Sequence, residues 1–304
     1  MTGKILVIVS PAAGRGRARR VQTHLAGYLA QNGVHAEFCE SQSPADFRER
    51  AAGAAAAGYD CVAALGGDGA FHHLLEGAYG TDIALGFFPA GTGNDIAEAL
   101  GLPKDPIAAA RAFLRLQPRP IDVLQARFAA EHQALFIGAG GMGFDAEAAR
   151  LANTQFHRWP GVTRYLAGAL WALRSSRSFQ IEAELETDRG FVRWDGPALL
   201  LAAANGPCYG SGFRIAPAAR VDDGWMDVTL VEALPWTRVF EALPILLRSG
   251  DLRWPEIHRY RARCIRLKAG RPALVHGDGE VLGEAPVEIS LLPAAIRVVA
   301  SPRH

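Results

Sequence analysis

Along the first third of the chain, apolar residues come in short solid runs, each followed by a stretch of helical periodicity. Ile5 to Val9, Val34 to Cys39, Asp60 to Ala64 and Ile83 to Phe88 are strand-length runs bounded by polar or glycine-rich turns. Between them Val21, Leu25, Tyr28 and Leu29 recur at helical spacing up to a stop at Gly33. Phe71 to Tyr79 reads as a second helix, and Ser41-Gln42-Ser43-Pro44 as a helix-start loop. Asp105 and Pro106 supply an N-cap and a first helical position, predicting a helix to about Gln117. Such alternation predicts a parallel sheet with helices on both faces, a Rossmann-like α/β domain. Pro118-Arg119-Pro120 reads as the hinge that closes it.

From residue 121 the texture changes. Strand-like runs come at Ala134 to Ala139, Ser178 to Glu186, Phe191 to Trp194, Pro197 to Ala204, Met226 to Val231, Arg261 to Lys268, Val287 to Leu291 and Ile296 to Val299. They predict antiparallel structure, a β-sandwich interrupted by two helices. One helix is Val162 to Ser175, with Val162, Leu166, Ala169, Leu170 and Leu173 on one face. Trp159, Trp171, Arg158, Arg164, Arg174 and Arg177 accompany it, a mixture that suits a membrane interface as well as packing on the sandwich. The other is Pro235 to Ser249, which Pro244 is expected to kink. The expected division is 1–120 and 121–293, with the tail 294–304 a candidate to complete the first domain and a nucleotide cleft between the two.

Composition narrows the function. A chain of 304 residues is long for one domain, and its 49% hydrophobic content supports two cores. A net charge of +1 gives no reason to expect nucleic acid. Cys39, Cys61, Cys208 and Cys264 form no CxxC pair, so neither a zinc site nor a disulfide framework is indicated. The apolar run after Met1-Thr2-Gly3-Lys4 is too short for a signal peptide or a spanning helix. A cytoplasmic location is expected, with membrane contact only at the inner surface.

Two turns carry the candidate chemistry. Gly66-Gly67-Asp68-Gly69-Ala70 joins the third strand run to a helix, and Pro89-Ala90-Gly91-Thr92-Gly93-Asn94-Asp95 follows the fourth. Glycine lets backbone approach a phosphate closely, and a helix N-terminus favours an anion. Asp68 would repel phosphate directly, so holding magnesium through water or orienting the loop is its expected role. In parallel sheets ligands collect at the carboxyl ends of the strands, where both turns fall.

The pair resembles the GGDGT and PxGTxND motifs of the diacylglycerol kinase catalytic-domain family, which includes sphingosine kinases and bacterial lipid kinases, and the likeness runs along nearly the whole chain. It implies an ATP site made by Ser41, Gly66, Gly67, Asp68, Gly69, Ala70, His73, Gly91, Thr92, Asn94 and Asp95. Ser10-Pro11-Ala12-Ala13-Gly14 keeps part of the family's NPxSG. Ile121-Asp122-Val123 is similar to its iDv segment, where the acid belongs to a magnesium network. Gly138 to Asp145 resembles GxGxDA, and Asn205-Gly206 with Gly210-Ser211-Gly212 resembles NG…GGG. Pro217 to Val228 resembles PxAxxDDGxLDV, implying a Mg2+ held by the Asp223 carboxylate and the carbonyls of Arg220 and Trp225. Asp278-Gly279-Glu280 resembles DGE, implying Glu280 as proton acceptor and Asp278 as its essential neighbour.

Two departures stand out: the family's threonine is Ala70, and its Asn-Glu pair is His72-His73. A histidine pair also evokes a metal, but no neighbouring residue is expected to complete the ligand set. The resemblance implies an ATP-dependent lipid kinase acting on a diacylglycerol- or sphingoid-like lipid at the membrane surface, in lipid metabolism. A kinase of a soluble hydroxyl acceptor, as in NAD kinases, and a nucleotide-binding protein with reduced or lost turnover remain as rivals. Oligomeric state is not fixed, and a homodimer stays open.

Overall fold

The computed structural model describes residues 3–129, 132–159, 162–175 and 178–302, without the side chains of 173–175. The chain divides into two compact units, Met1–Asp122 with Ala294–His304, and Val123–Pro293.

The first unit alternates strand and helix. Its elements are β1 (Ile5–Val9), α1 (Ala13–Gln31), β2 (Ala36–Glu40), α2 (Pro44–Gly53), β3 (Cys61–Gly66), α3 (Asp68–Ala78), β4 (Ala84–Pro89), α4 (Asp95–Ala99) and α5 (Pro106–Phe113). Strands β1, β3 and β4 are buried throughout, which is why they read as solid apolar runs. They pair in parallel, β2 beside β1, β1 beside β3 and β3 beside β4. The Asp105 carboxylate caps α5, accepting from the N–H groups of Ile107 and Ala108 at 3.1 and 3.0 Å. That helix ends at Phe113, short of the expected Gln117, because Leu114 to Gln117 tighten into a turn and Pro118 begins a strand.

Strand β5 (Pro118–Phe128) begins in the first unit and ends in the second, so the predicted hinge at Pro118 to Pro120 is extended strand. There follow β6 (Gln133–Phe136), β7 (Ala139–Gly143), α6 (Phe144–Thr154), α7 (Val162–Ser175), β8 (Phe179–Thr187), β9 (Gly190–Ala204), β10 (Met226–Glu232), α8 (Trp236–Arg248), β11 (Ile257–Ala269), β12 (Leu274–Gly277), β13 (Glu280–Glu284) and β14 (Val287–Val299). In the second unit β9, β10, β11 and β8 pair in an antiparallel ring, since β8 reaches both β11 and β9. Leu201, Met226, Leu230, Ile265 and Ile289 lie in the core it encloses. Beyond β9 the order continues to β7, β12 and β13. The early part of β14 pairs antiparallel with β11, and Arg297 and Val298 near its end pair in parallel with Ala84 and Leu85 of β4.

Helix α6 was not anticipated. Helix α8 runs on through Pro244. Leu173, Arg174 and Arg177, assigned above to an amphipathic helix, lie outside the residues whose side chains are described.

Candidate functional site

The two glycine turns meet. A Cβ on Gly91 would stand 2.5 Å from the Cα of Gly67, and one on Gly67 would stand 3.2 Å from the Cα of Gly91. At position 91 only a residue without a side chain permits that approach, and at 67 a Cβ would be tight. The Ala90 N–H donates to the Gly66 carbonyl at 2.6 Å, closing one turn on the other. Within the second turn, Asn94 is buried in the left-handed region (φ 56°). Its Oδ1 accepts from the Gly91 N–H at 3.0 Å and its Nδ2 donates to the Gly91 carbonyl at 3.2 Å. Asn94 thus shapes the loop.

Asp68 opens α3, and its Oδ1 accepts from the Ile96 N–H at 3.0 Å. The acid ties the first turn to the start of α4. A cavity with an empty volume of about 850 Å³, part of it open to solvent, is lined by Ser10 to Ala13, Ser41 to Pro44, Phe47, Gly67, Gly69, Ala70 and His73. Ser41, Gly67, Gly69, Ala70 and His73 are therefore brought together. Gly91, Thr92, Asn94 and Asp95 stand behind them on the second turn and do not line the cavity. The N-terminus of α3 opens beside it, an arrangement that favours an anion.

One expectation needs correction here. Glu76, one helical turn beyond His72, completes a three-residue group: one donor atom from each of His72, His73 and Glu76 lies within 4.8 Å of the others. The Glu76 carboxyl is held well below the usual carboxylate range, first by His72, then by His73, against the opposing effect of burial.

Asp122 is buried, and its Oδ1 accepts from the Ala294 N–H at 2.8 Å, where Ala294 has φ 52°. It therefore secures the chain's return into the first unit.

In the second unit, the turn between β12 and β13 holds Asp278, Gly279 and Glu280. Both Asp278 oxygens are engaged by backbone, accepting from Ile137 N–H at 2.9 Å and Gly138 N–H at 2.8 Å. Asp278 thus holds the turn, while Glu280 is exposed.

Gly279 lines an apolar cavity with an empty volume of about 970 Å³, part of it open to solvent. Its walls come from α6 and α7, from the middle of β9 and β10, and from Val239, Ala242, Leu243 and Leu246 of α8. The polar exceptions include Asp145 and Tyr209. Asp145 Oδ2 lies 3.1 Å from Nε2 of the fully buried His276 and accepts from the Tyr209 hydroxyl at 3.3 Å. Burial, then the charge of Asp145, pushes the Tyr209 phenol well above its usual range. Asp145 ends the glycine-rich segment and His276 lies 131 positions away, so no local pattern pairs them. A buried acid and a buried histidine needing partners was the signal available.

The turn at Asp222 and Asp223 offers hard oxygen donors. Asp223 Oδ1 accepts from Trp225 N–H at 3.1 Å, and its Oδ2 pairs with Arg261 at 2.5 Å. Asp227, largely buried and beside Asp223, has its carboxyl pushed up to about 6, by burial first and then by that charge. The Asp223 carboxylate is the hard oxygen ligand type that Mg2+ takes, on a turn with Gly224 at φ 75°, with Arg261 as the present counter-charge.

Comparisons with known proteins bear on the whole chain. Residues 4–126 match the diacylglycerol kinase catalytic domain, and residues 138–300 match the YegS C-terminal NAD kinase beta sandwich-like domain. A diacylglycerol kinase of Mycobacterium tuberculosis is 31% identical over 305 residues, covering 99% of this chain and 96% of the relative. A YegS-like lipid kinase of Pseudomonas aeruginosa is 33% identical over 252 residues, covering 81% of this chain and 78% of that one. The crystal structure of a diacylglycerol kinase from Bacillus anthracis superposes with a TM-score of 0.75 at 21% identity, covering 99% and 98% of the two chains, a likeness of fold. With domain models matching both units and a relative spanning nearly its full length, the chain belongs to the diacylglycerol kinase family of lipid kinases, phosphotransferases with an alcohol acceptor.

Proposed function

We propose that this chain is an ATP-dependent kinase that phosphorylates a hydroxyl of a diacylglycerol- or sphingoid-like lipid. The observation that carries the reading is the apolar cavity of the second unit, walled by aliphatic and aromatic side chains but bordered by Asp145, Tyr209 and Gly279. A soluble acceptor has no use for such walls, whereas an acyl chain gains about 0.8 kcal/mol for each CH2 removed from water. This favours a lipid over the soluble-acceptor alternative.

In this reading the lipid chain enters between α7 and α8, and its hydroxyl lies by the Gly279-Glu280 turn. Glu280, the exposed residue after Gly279, takes the hydroxyl proton as the oxygen attacks the γ-phosphorus, whose bond to the β,γ-bridging oxygen breaks to release ADP. Asp278 positions that turn through its two backbone hydrogen bonds. The cavity of the first unit takes ATP, its phosphates at the glycine turn and the start of α3. Ser41, Gly67, Gly69, Ala70 and His73 form its wall, and Gly66, Gly91, Thr92, Asn94 and Asp95 shape the turns behind it. A Mg2+ held by Asp223 and the carbonyls of Arg220 and Trp225 would offset the charge of the acidic turn.

The same helices support contact with a membrane. Trp236 on α8 is 63% exposed and Phe240 45%, with Leu247 of α8 and Leu170 and Trp171 of α7 also exposed; Trp159, in the segment before α7, is 53% exposed. Exposed aromatic and aliphatic groups on helices whose other sides line the cavity suit an interfacial position. Among the described residues no helix is long and apolar enough to cross a bilayer.

The test is transfer of labelled phosphate from ATP to a total lipid extract, beside ATP turnover without lipid. Labelled lipid is expected. ATP turnover indifferent to lipid would turn the reading to a soluble acceptor, and no turnover in either would support a nucleotide-binding protein.

A further inference from the structure

His72 and His73 both reach Glu76 one turn further along α3; His73 also lines the first unit's cavity, while His72 and Glu76 have no role in the phosphoryl transfer described above. We propose that these three side chains form a binding site for a divalent transition cation of the Zn2+, Co2+ and Ni2+ class. The proposal stands apart from the kinase reading, because nothing in it requires ATP or lipid.

The helix makes the group. Glu76 follows His72 by four residues and His73 by three, the two spacings that bring side chains together on one helical face. Nε2 of His72 lies 3.5 Å from Oε1 of Glu76, and Nδ1 of His73 lies 3.5 Å from Oε2. Charge-assisted N–H···O bonds are typically about 2.7–2.9 Å, so both separations are long for that purpose. Two ligand atoms about 2.0–2.2 Å from one tetrahedral zinc stand roughly 3.3–3.5 Å apart, which is the spacing found. The three ligand atoms all lie within 4.8 Å of one another.

Ligand type sets the ion. Imidazole nitrogens select zinc, nickel, cobalt and copper, whereas Mg2+ prefers oxygen throughout. Two histidines and one carboxylate leave a coordination position open. His73 also lines the cavity of the first unit, with Gly69 and Ala70, so that position is within reach of water or of an oxygen of a ligand there. One group opposes the ion: Nη1 of Arg48 lies 3.2 Å from Oε2 of Glu76. An incoming cation must displace this half-exposed guanidinium, so Arg48 lowers the affinity of the site.

The full chain, stripped with EDTA, should be titrated with Zn2+ by calorimetry and with Co2+ by visible absorption, in excess Mg2+. A single tight equivalent is expected, unaffected by Mg2+. His73→Ala and Glu76→Gln should each weaken it by at least about 10-fold, the low end of what losing even an outer-shell partner costs. Arg48→Gln should tighten it, a result that a purely helix-packing role for the three side chains would not produce. His73 and Glu76 are both partly exposed, so these variants are expected to fold, and circular dichroism checks that they do. Absence of Zn2+ binding to the wild type would overturn the proposal. So would affinity unchanged in both His73→Ala and Glu76→Gln, or weakened in Arg48→Gln.

Discussion

The carboxylate of Asp68 accepts a hydrogen bond from the backbone N–H of Ile96 at 3.0 Å, bridging two glycine turns that are 28 positions apart in the chain. Asp68→Ala removes the acceptor and leaves a buried donor unpaired, at a cost of about 1–3 kcal/mol. The variant should therefore melt lower as well as lose transfer, and Asp68→Asn should recover much of the stability. Thermal melts of both variants, beside phosphate transfer, check this. An unchanged melting temperature in Asp68→Ala would show that the bond is dispensable.

Glu280 and Asp278 are expected to separate cleanly. Glu280→Gln keeps shape but loses the base, so kcat should fall by ~10²–10⁴-fold with unchanged nucleotide Kd and melting temperature. Asp278→Asn exchanges an acceptor for a donor opposite a backbone N–H, and it should lower the melting temperature too. Kinetics and melts on both variants test the division. Full activity in Glu280→Gln removes it as the base.

Ala169 is buried on α7 and lines the apolar cavity. Ala169→Phe should fill part of the space a lipid chain needs. A rise in lipid KM is expected, with nucleotide Kd unchanged and a stability cost of about 1–3 kcal/mol from overpacking. Unaltered KM across lipids of different chain length would place the acyl chain elsewhere.

Mg2+ should raise the melting temperature of the wild type by mass action, and Asp223→Ala should abolish that rise. Arg261→Gln removes the cation that pairs with Asp223 and should enlarge the Mg2+ effect. If Mg2+ leaves the wild-type melt unmoved, no structural cation resides at this turn.

Replacing Trp236 and Phe240 together by serine should weaken sedimentation with phospholipid vesicles while sparing ATP affinity, since both side chains are exposed. Equal sedimentation of variant and wild type would move the membrane contact off α8.

How far the sequence disclosed this molecule depended on how local each signal was. Solid apolar strands such as β1 and β3 announce themselves because both their faces are buried. Strand β7 does not, being Ala-Gly-Gly-Met-Gly, a composition that argues against strand. The structure supplies the reason: a Cβ on Gly140 would collide with the carbonyl of His276 on the neighbouring strand. Strands β9 and β14 each read as two runs because Gly196 and Pro293 interrupt the apolar pattern without ending the pairing. At the sites, the DGE and GGDG turns were visible as motifs, but the hydrogen bonds that distinguish Asp278 from Glu280 join positions 140 apart. Glu76 is a local case: its partners are one helical turn away, but a lone glutamate on a helix carries no pattern of its own that marks it as a ligand.

Strand β14 gives the first unit its final pairing from the far end of the chain. Ser301 is held there as well, its carbonyl accepting from Arg119 at 2.8 Å and its N–H donating to the Leu100 carbonyl at 3.0 Å. A ribosome therefore cannot complete this unit when residue 122 emerges. Until residues 297 and 298 are made, the edge of β4 at Ala84 and Leu85 is a strand without its neighbour, open to association between nascent chains. A stop codon before Arg297 would make that interval permanent and should send the protein to the insoluble fraction.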